Sequence, residues 1–331
     1  MNTSEPSCDA AKTHQLAEIL KSKNQKQLKD LLKVSDNIAS SVKIYYDAFE
    51  LKHKGTVKDT VKHTHTHTHK DTDSTTTDNN TYKPAVFTFD GPAFKGINPS
   101  SCDTNTIHYM QTHLRIIDPL YGALRPLDLI QPYRLEMATK AILKDLIDDN
   151  NTNTNTNTNT NTKQDTFKFK SLAHWWKDTI TTNILTDMQH SDCKVLINLA
   201  SDEYSSAIDI EQLKQHHCRF VKIAFQQEGK VIAVHAKRAR GLMVRYISDN
   251  QLHHVQGIQE FNLEGYCFCQ DKSQEDTIVF DRSKNWKDYK GDDDGEGDGD
   301  DAGESSKAAA LGQKRKGKAE SGKAASSKKA K

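Results

Sequence analysis

Apolar positions in this chain recur at helical or strand spacing over several stretches that are separated by runs with no pattern at all. Over 14–50, Leu28, Leu31 and Leu32 share one helical face. After Ser35-Asp36, residue types that cap a helix, Ile38, Val42, Tyr45 and Phe49 continue a stripe, so two helices are expected there. Ala85-Val86-Phe87-Thr88-Phe89 reads as a strand. Residues 105–117 and 135–147 read as helices, and 171–188, with Trp175, Trp176, Ile180, Ile184 and Leu185, as a third. Lys194 to Leu199 is a short apolar run expected to be a buried strand. Arg219–Phe225 and Lys230–His235 resemble a hairpin turning at Glu228-Gly229, a helix follows from about Ala236 to Asn250, and 261–268 and 277–281 close as strands. Helices and strands alternate, which predicts a mixed α/β (α+β) core.

The pattern fails in three blocks. Residues 54–81 are rich in Thr, His and Asp, and 149–162 repeat Asn and Thr. The tail 286–331 holds eight acids and no base over 292–304, then nine Lys/Arg and one Glu over 307–331. Such segments cannot bury apolar area, and long surface insertions cost little closure entropy. The expected organisation is a disordered N-terminus (1–13), one compact domain (14–285) carrying disordered inserts at 54–81 and 149–162, and a disordered tail (286–331).

Composition narrows the class. Hydrophobic residues make up only 35% of 331 and mean hydropathy is −0.78, yet the patterned part is long enough for a good core. No apolar run of membrane-spanning length exists, and no apolar signal opens the chain. Six scattered cysteines suit a reducing, intracellular compartment, cytoplasmic or nuclear. Cys267-Phe268-Cys269 would place two thiols on one strand face, but no second pair makes a zinc site. His63, His65, His67 and His69 would share a face in an extended chain. They read as a simple repeat, so neither metal nor cofactor is expected. Gln313–Lys318 and Lys328-Lys329 resemble either a nuclear-import signal, for an import receptor, or a solubilising tail.

Candidate chemistry concentrates in three places. Lys237, Arg238 and Arg240 fall near the expected start of a helix, where cations oppose the macrodipole and a bound phosphate would reverse the penalty. The alternative is carboxylate partners such as Asp202 or Glu203. Three prolines between Pro119 and Pro132 stiffen a path presenting Arg125 and Arg134; the alternative pairs Arg125 with Asp128 and Arg134 with Glu136. Ser201, Asp202, Glu203 and Tyr204 follow the apolar strand, where open α/β sheets place sites. They make either a helix cap or a general acid/base pair. No nucleophile-elbow, phosphate-loop or zinc-protease motif is present.

Gln111–Arg115, Leu120-Tyr121-Gly122, Arg125–Asp128, Gln131–Met137, Asn198–Tyr204, Ala236–Met243 and Phe261–Tyr266 resemble, in order and spacing, the YaaA peroxide-stress family. The resemblance covers 14–282 apart from the inserts. It implies a compact mixed α/β domain with a positively charged cleft, binding of double-stranded DNA, and a role in limiting iron-driven DNA damage under peroxide, with no established enzymatic activity. Arg115, Arg125, Arg134, Lys237, Arg238 and Arg240 would line that cleft, and no catalytic residue is assigned. Members of the family open with an apolar strand and a Pro-Ala-Lys-Thr-like segment. Here Ala11-Lys12-Thr13 sits directly against the first helix, so an upstream in-frame segment encoding that strand is expected.

Overall fold

The computed structural model describes residues 3, 4, 6, 8–50, 82–146, 169–189 and 194–286. Both low-complexity inserts, the histidine tract and the acidic and basic runs of the tail lie outside the described residues. Three helices open the chain: α1 (Ala10–Lys21), α2 (Gln25–Leu32) and α3 (Asp36–Ala48). The sequence suggested two. Asn24 caps α2 in a reciprocal box with Gln27, and Lys33 ends it in the left-handed region at φ 54°. Ser35 caps α3 as expected, accepting from the Ile38 amide. The buried face of α3 is Ala39, Val42 and Tyr46, with Phe49 buried just past its end, so Val42 and Phe49 are buried as expected while Ala39 and Tyr46 take the places of Ile38 and Tyr45. Upstream of α1, Ser4 bridges to Asp128, and so part of the stretch expected to be disordered joins the domain.

Short elements follow: β1 (Lys83–Pro84), α4 (Ala85–Thr88), α5 (Pro92–Ile97), α6 (Thr104–His113), β2 (Ile116–Asp118), β3 (Gly122–Leu124) and β4 (Leu129–Ile130). The expected strand at 85–89 is helical instead. Ala85 and Val86 are buried side by side and Phe87 is exposed, which period-two packing cannot produce. The helix expected over 135–147 is also absent. Leu135, Met137 and Thr139 are buried while the residues between them are exposed, the Thr139 amide closes a turn on the Glu136 carbonyl at 2.9 Å, and Leu143–Asp145 makes a 3₁₀ turn.

Then come α7 (Leu172–Gln189), close to its expected bounds, β5 (Val195–Asn198), α8 (Asp202–Ser205), α9 (Ile210–Gln215), β6 (Arg219–Gln227), α10 (Ala233–Asp249), β7 (Cys267–Phe268) and β8 (Thr277–Arg282). The main sheet runs β5-β6-β8-β7, with β5, β6 and β8 parallel and β7 antiparallel. This is the mixed α/β architecture that the alternation predicts. Strand β5 lies at an edge and is half-buried, not buried. The expected hairpin fails because β6 already has a neighbour on each side. Lys230 bridges only Gln227, and the chain turns directly into α10. Residues 261–266 turn rather than pair, since Glu264 and Gly265 adopt φ of 51° and 73°. Trp286, assigned by sequence to the tail, stacks 4.8 Å from the Arg282 guanidinium and so extends the domain.

Helix α10 is held on two sides. Ala236, Ala239 and Met243 pack into the sheet's core with Phe225, Phe261 and Phe280. On another side it crosses α5 at glycine. A Cβ on Gly241 would lie 1.8 Å from the Ala93 carbonyl oxygen, and one on Gly96 2.3 Å from that of Arg238. The two backbones touch, leaving no room for a methyl group.

The proline-rich path between β2 and Met137 is buried, so its polar groups need internal partners. Asp118 accepts from the Leu120 and Tyr121 amides, both at 2.8 Å, and from the Tyr133 hydroxyl. Asp128 accepts from the Arg125 amide at 2.8 Å and the Ser4 hydroxyl at 2.5 Å. Gln131 accepts from the Glu50 amide and donates to the Glu50 carbonyl, standing in for a strand neighbour. Burial outweighs these bonds at Asp118 and pushes its carboxyl up to about 6.

Two predictions follow from this packing. Gly241→Ala should destabilise the domain by about 1–3 kcal/mol or more, because backbone rather than a flexible side chain must yield. Gly91→Ala, with nothing within 4 Å of the added atom, should cost about 0.5 kcal/mol as a lost cap preference; urea unfolding compares them. For Asp118 the folded carboxyl holds its proton more tightly than the unfolded one. Stability should therefore fall as pH rises from about 4 through about 6 and level off above. Asp118→Asn should flatten that slope, read as the difference between the two pH–stability curves.

Candidate nucleic-acid interface

Helix α10 starts at Ala233, three residues before the expected start. This moves Lys237, Arg238 and Arg240 past the first turn, where the macrodipole has largely faded. The helix start and the two residues before it instead expose Val231, Ile232 and Val234. The dipole argument for an anion at the helix start is therefore lost, and each cation has to be judged by its own surroundings.

Those surroundings differ sharply. Arg238 Nε donates to Glu264 Oε1 at 2.6 Å. Glu264 also faces Arg282, which is buried, donates to the Glu264 carbonyl and lies 4.6 Å over the Tyr266 ring. The left-handed backbone at Glu264 and Gly265 turns this carboxylate inward, so the Phe261–Tyr266 segment serves Arg238 and Arg282. Arg240 is half-buried, and burial pulls its guanidinium below the usual arginine range, with the Asp202 charge opposing. Lys237 is exposed.

Asp202 opens α8 just beyond the carboxyl end of β5. Its carboxylate accepts from Lys222 Nζ at 2.6 Å. Lys222 stands on β6 opposite Asn198, the last residue of β5. That hydrogen bond, reinforced by the charges of Lys222 and Arg240, holds the Asp202 carboxyl below its ordinary range. Sequence reasoning missed Lys222; its position at the even offset from Phe220 on a strand was the available signal. Ser201 occupies the cap position of α8 without a side-chain cap bond. Glu203 Oε1 accepts from the Ala138 amide at 2.7 Å and fastens the 134–138 segment to α8. Tyr204 is half-buried beside Asp118 and Glu203, and burial pushes its hydroxyl up to about 12.

The remaining candidate cations are spent on structure. Arg115 and Arg125 converge on Asp187 in the last turn of α7, each at 2.6 Å. Burial lowers the Arg115 pKa despite that partner. The Arg125 side chain thus pairs with Asp187 and not with Asp128, which takes only its amide. Arg134 pairs with Glu136 at 2.6 Å, one of the two expected alternatives. An open concavity lined by Lys140, Leu143, Phe169 and Lys170 contains none of these residues. Among the described residues no group of His, Cys, Asp and Glu is arranged to hold a metal, and no helix is long and apolar enough to cross a membrane.

What the fold brings together is therefore one charged corner. Lys222, Asp202 and Arg240 meet at the carboxyl end of β5, Lys237 stands exposed on the same helix as Arg240, and Glu203 and Tyr204 tie the corner to the buried Asp118 loop.

Comparison with known proteins identifies the family of the chain. The model of the peroxide stress protein YaaA family matches residues 1–272. A UPF0246 protein of Francisella tularensis subsp. novicida is 39% identical over 209 residues, 62% of this chain and 72% of its own. A UPF0246 protein of Psychrobacter cryohalolentis is 39% identical over 212 residues, 63% and 70% of the two chains. With the matched region holding the proline-rich loop, the β5 corner and α10 alike, the chain belongs to the peroxide stress protein YaaA family.

Proposed function

We propose that this chain binds double-stranded DNA through the corner at the carboxyl end of β5 and thereby limits iron-driven damage to that DNA under peroxide. The observation that carries the reading is the uneven pairing of the cations. Arg115, Arg125, Arg134 and Arg238 each hold a carboxylate at 2.6 Å. Arg240 forms no such ion pair among the described residues, and Lys237 is exposed on the same helix. A duplex phosphate would supply the missing partner, and Lys222 would exchange Asp202 for a second phosphate. Such contacts position a duplex without reading its sequence.

The reading as an acid/base enzyme has less support. Asp202 is held ionised by Lys222, which makes it a weak base, and Glu203 is engaged by the Ala138 amide. Asp202→Asn and Glu203→Gln would be expected to alter the local packing and no turnover on nucleotides or DNA.

Salt-titrated binding to a mixed-sequence duplex tests the proposal. The chain used should end after Trp286, because the nine cations of 307–331 bind polyanions unaided and Trp286 packs on Arg282. Lys237→Gln and Arg240→Gln should each weaken binding about equally across sequences and flatten the slope of log K against log salt by roughly 0.9. Arg115→Gln should leave the slope alone and lower the melting temperature. An unchanged slope in the Lys237/Arg240 double variant places the interface elsewhere. Protection follows the same variants: nicking of supercoiled plasmid by ferrous iron and peroxide should fall with the unaltered chain and rise again with the double variant.

A further inference from the structure

The opposite edge of the main sheet carries chemistry that the β5 corner does not use. Strand β7 is that edge, and it brings Cys267 to the surface, with Cys269 immediately after it. Residues two apart on extended chain project to one face, about 6.7 Å apart at two rises of the strand. That separation lies at the upper end of what a disulfide spans. Phe268, between them, points the other way into the core with Phe280. Only two residues pair in β7, and Cys269, whose amide still donates to the Val279 carbonyl at 2.9 Å, leads into a 3₁₀ turn, so a small local shortening strains one backbone hydrogen bond at the end of the edge.

The surroundings of the pair are charged. Cys267 lies opposite Asp281 in the β7–β8 register. Asp281 accepts from Lys272 Nζ at 2.6 Å and from the Gly229 amide at 2.9 Å. The turn folds Lys272 back so that its amide donates to the Cys269 carbonyl at 3.3 Å, and the Ser273 hydroxyl donates to the same carbonyl at 2.7 Å. The hydrogen bond to Asp281 raises the Lys272 ammonium above its ordinary range, with smaller charge contributions from Asp281 and Cys269. The other thiols among the described residues differ. Burial pushes the Cys8 thiol up to about 11 and raises that of Cys102, and Cys218 is buried.

We infer that Cys269 and Cys267 form a peroxide-reactive thiol pair, with Cys269 as the attacking thiolate, Cys267 as the resolving thiol and Lys272 as the positioning cation. The Cys269 thiolate attacks one oxygen of hydrogen peroxide. The O–O bond breaks, a sulfenic acid forms on Cys269, and the leaving hydroxide takes up a proton as water. Cys267 then attacks the sulfenic sulfur. An S–S bond forms, the S–O bond breaks, and the oxygen leaves with the Cys267 proton as a second water. Two thiols lose two electrons and one peroxide is reduced to two waters. The reaction needs no DNA, so it stands or falls separately from the reading of the β5 corner.

The test treats the full chain with hydrogen peroxide and follows each thiol by quenched alkylation and peptide mass. The expected result is a peptide spanning 267–269 lighter by two hydrogens, formed faster than any change at Cys102 and reversed by dithiothreitol. Cys267→Ser should instead accumulate a sulfenic acid on Cys269 that dimedone traps. Lys272→Gln should slow oxidation several-fold while leaving the melting temperature near that of the unaltered chain, which separates an effect on the thiolate from damage to the sheet. The inference is overturned if the pair oxidises no faster than Cys102, if Cys269 in the unaltered chain stops at oxygen addition, or if the bond joins two chains.

Discussion

The crossing of α5 and α10 is the contact on which the charged corner depends. Gly241 and Gly96 let two helix backbones meet with no side chain between them, and the other face of α10 is packed against the sheet. A helix gripped in this way cannot roll or slide without breaking backbone contact on one side or opening the aromatic core on the other. The side chains leaving its remaining face, Lys237, Arg238 and Arg240 among them, are thereby set relative to β5 and β6. The closeness of the crossing also explains why so short a helix as α5 is sufficient: its role is to offer a flat patch of backbone.

A second constraint comes from burying a loop. The path from Asp118 to Met137 lies inside the domain with only the short β2–β3 and β1–β4 ladders to satisfy its backbone. Three side chains supplement those ladders: Asp118 for two amides, Asp128 for the Arg125 amide, and Gln131 for both backbone groups of Glu50. An unpaired buried polar group costs about 1–3 kcal/mol, so each of these residues is held to its type by its partners. Asp118 is fully enclosed, and its raised pKa follows from that burial. Through Tyr204 and Glu203 the same loop braces α8, so stability and the geometry of the corner share one network.

Charge in this protein is distributed by neutralisation rather than by exclusion. Most candidate arginines face a carboxylate delivered by a distant element: Asp187 from α7, Glu264 from a left-handed turn. The corner at β5 is where the account stays open, with two cations flanking the single carboxylate of Asp202. Phosphate binding there requires displacing one ion pair at most, in a half-exposed setting where such a pair contributes little.

The sequence alone was enough for the mixed α/β class, the long helices α7 and α10, the strand β8 and the cap at Ser35, because each rests on local spacing or on a side chain bonding its own backbone. It also marked the segments that carry family membership, although not what they do. Where local signals were short, tertiary context overrode them. Ala85–Thr88 became helix because it packs beneath the loop at Pro126 and Asp128, Leu135–Thr139 became a non-helical segment with a single turn because it lies against α8, and 230–235 could not be a strand because β6 had no free edge. The partners of the arginines were beyond reach for the same reason. Arg125 and Asp187 are 62 residues apart, and no periodicity along a chain encodes which carboxylate a folded surface will bring to a guanidinium; only the packing of helices and sheet decides that.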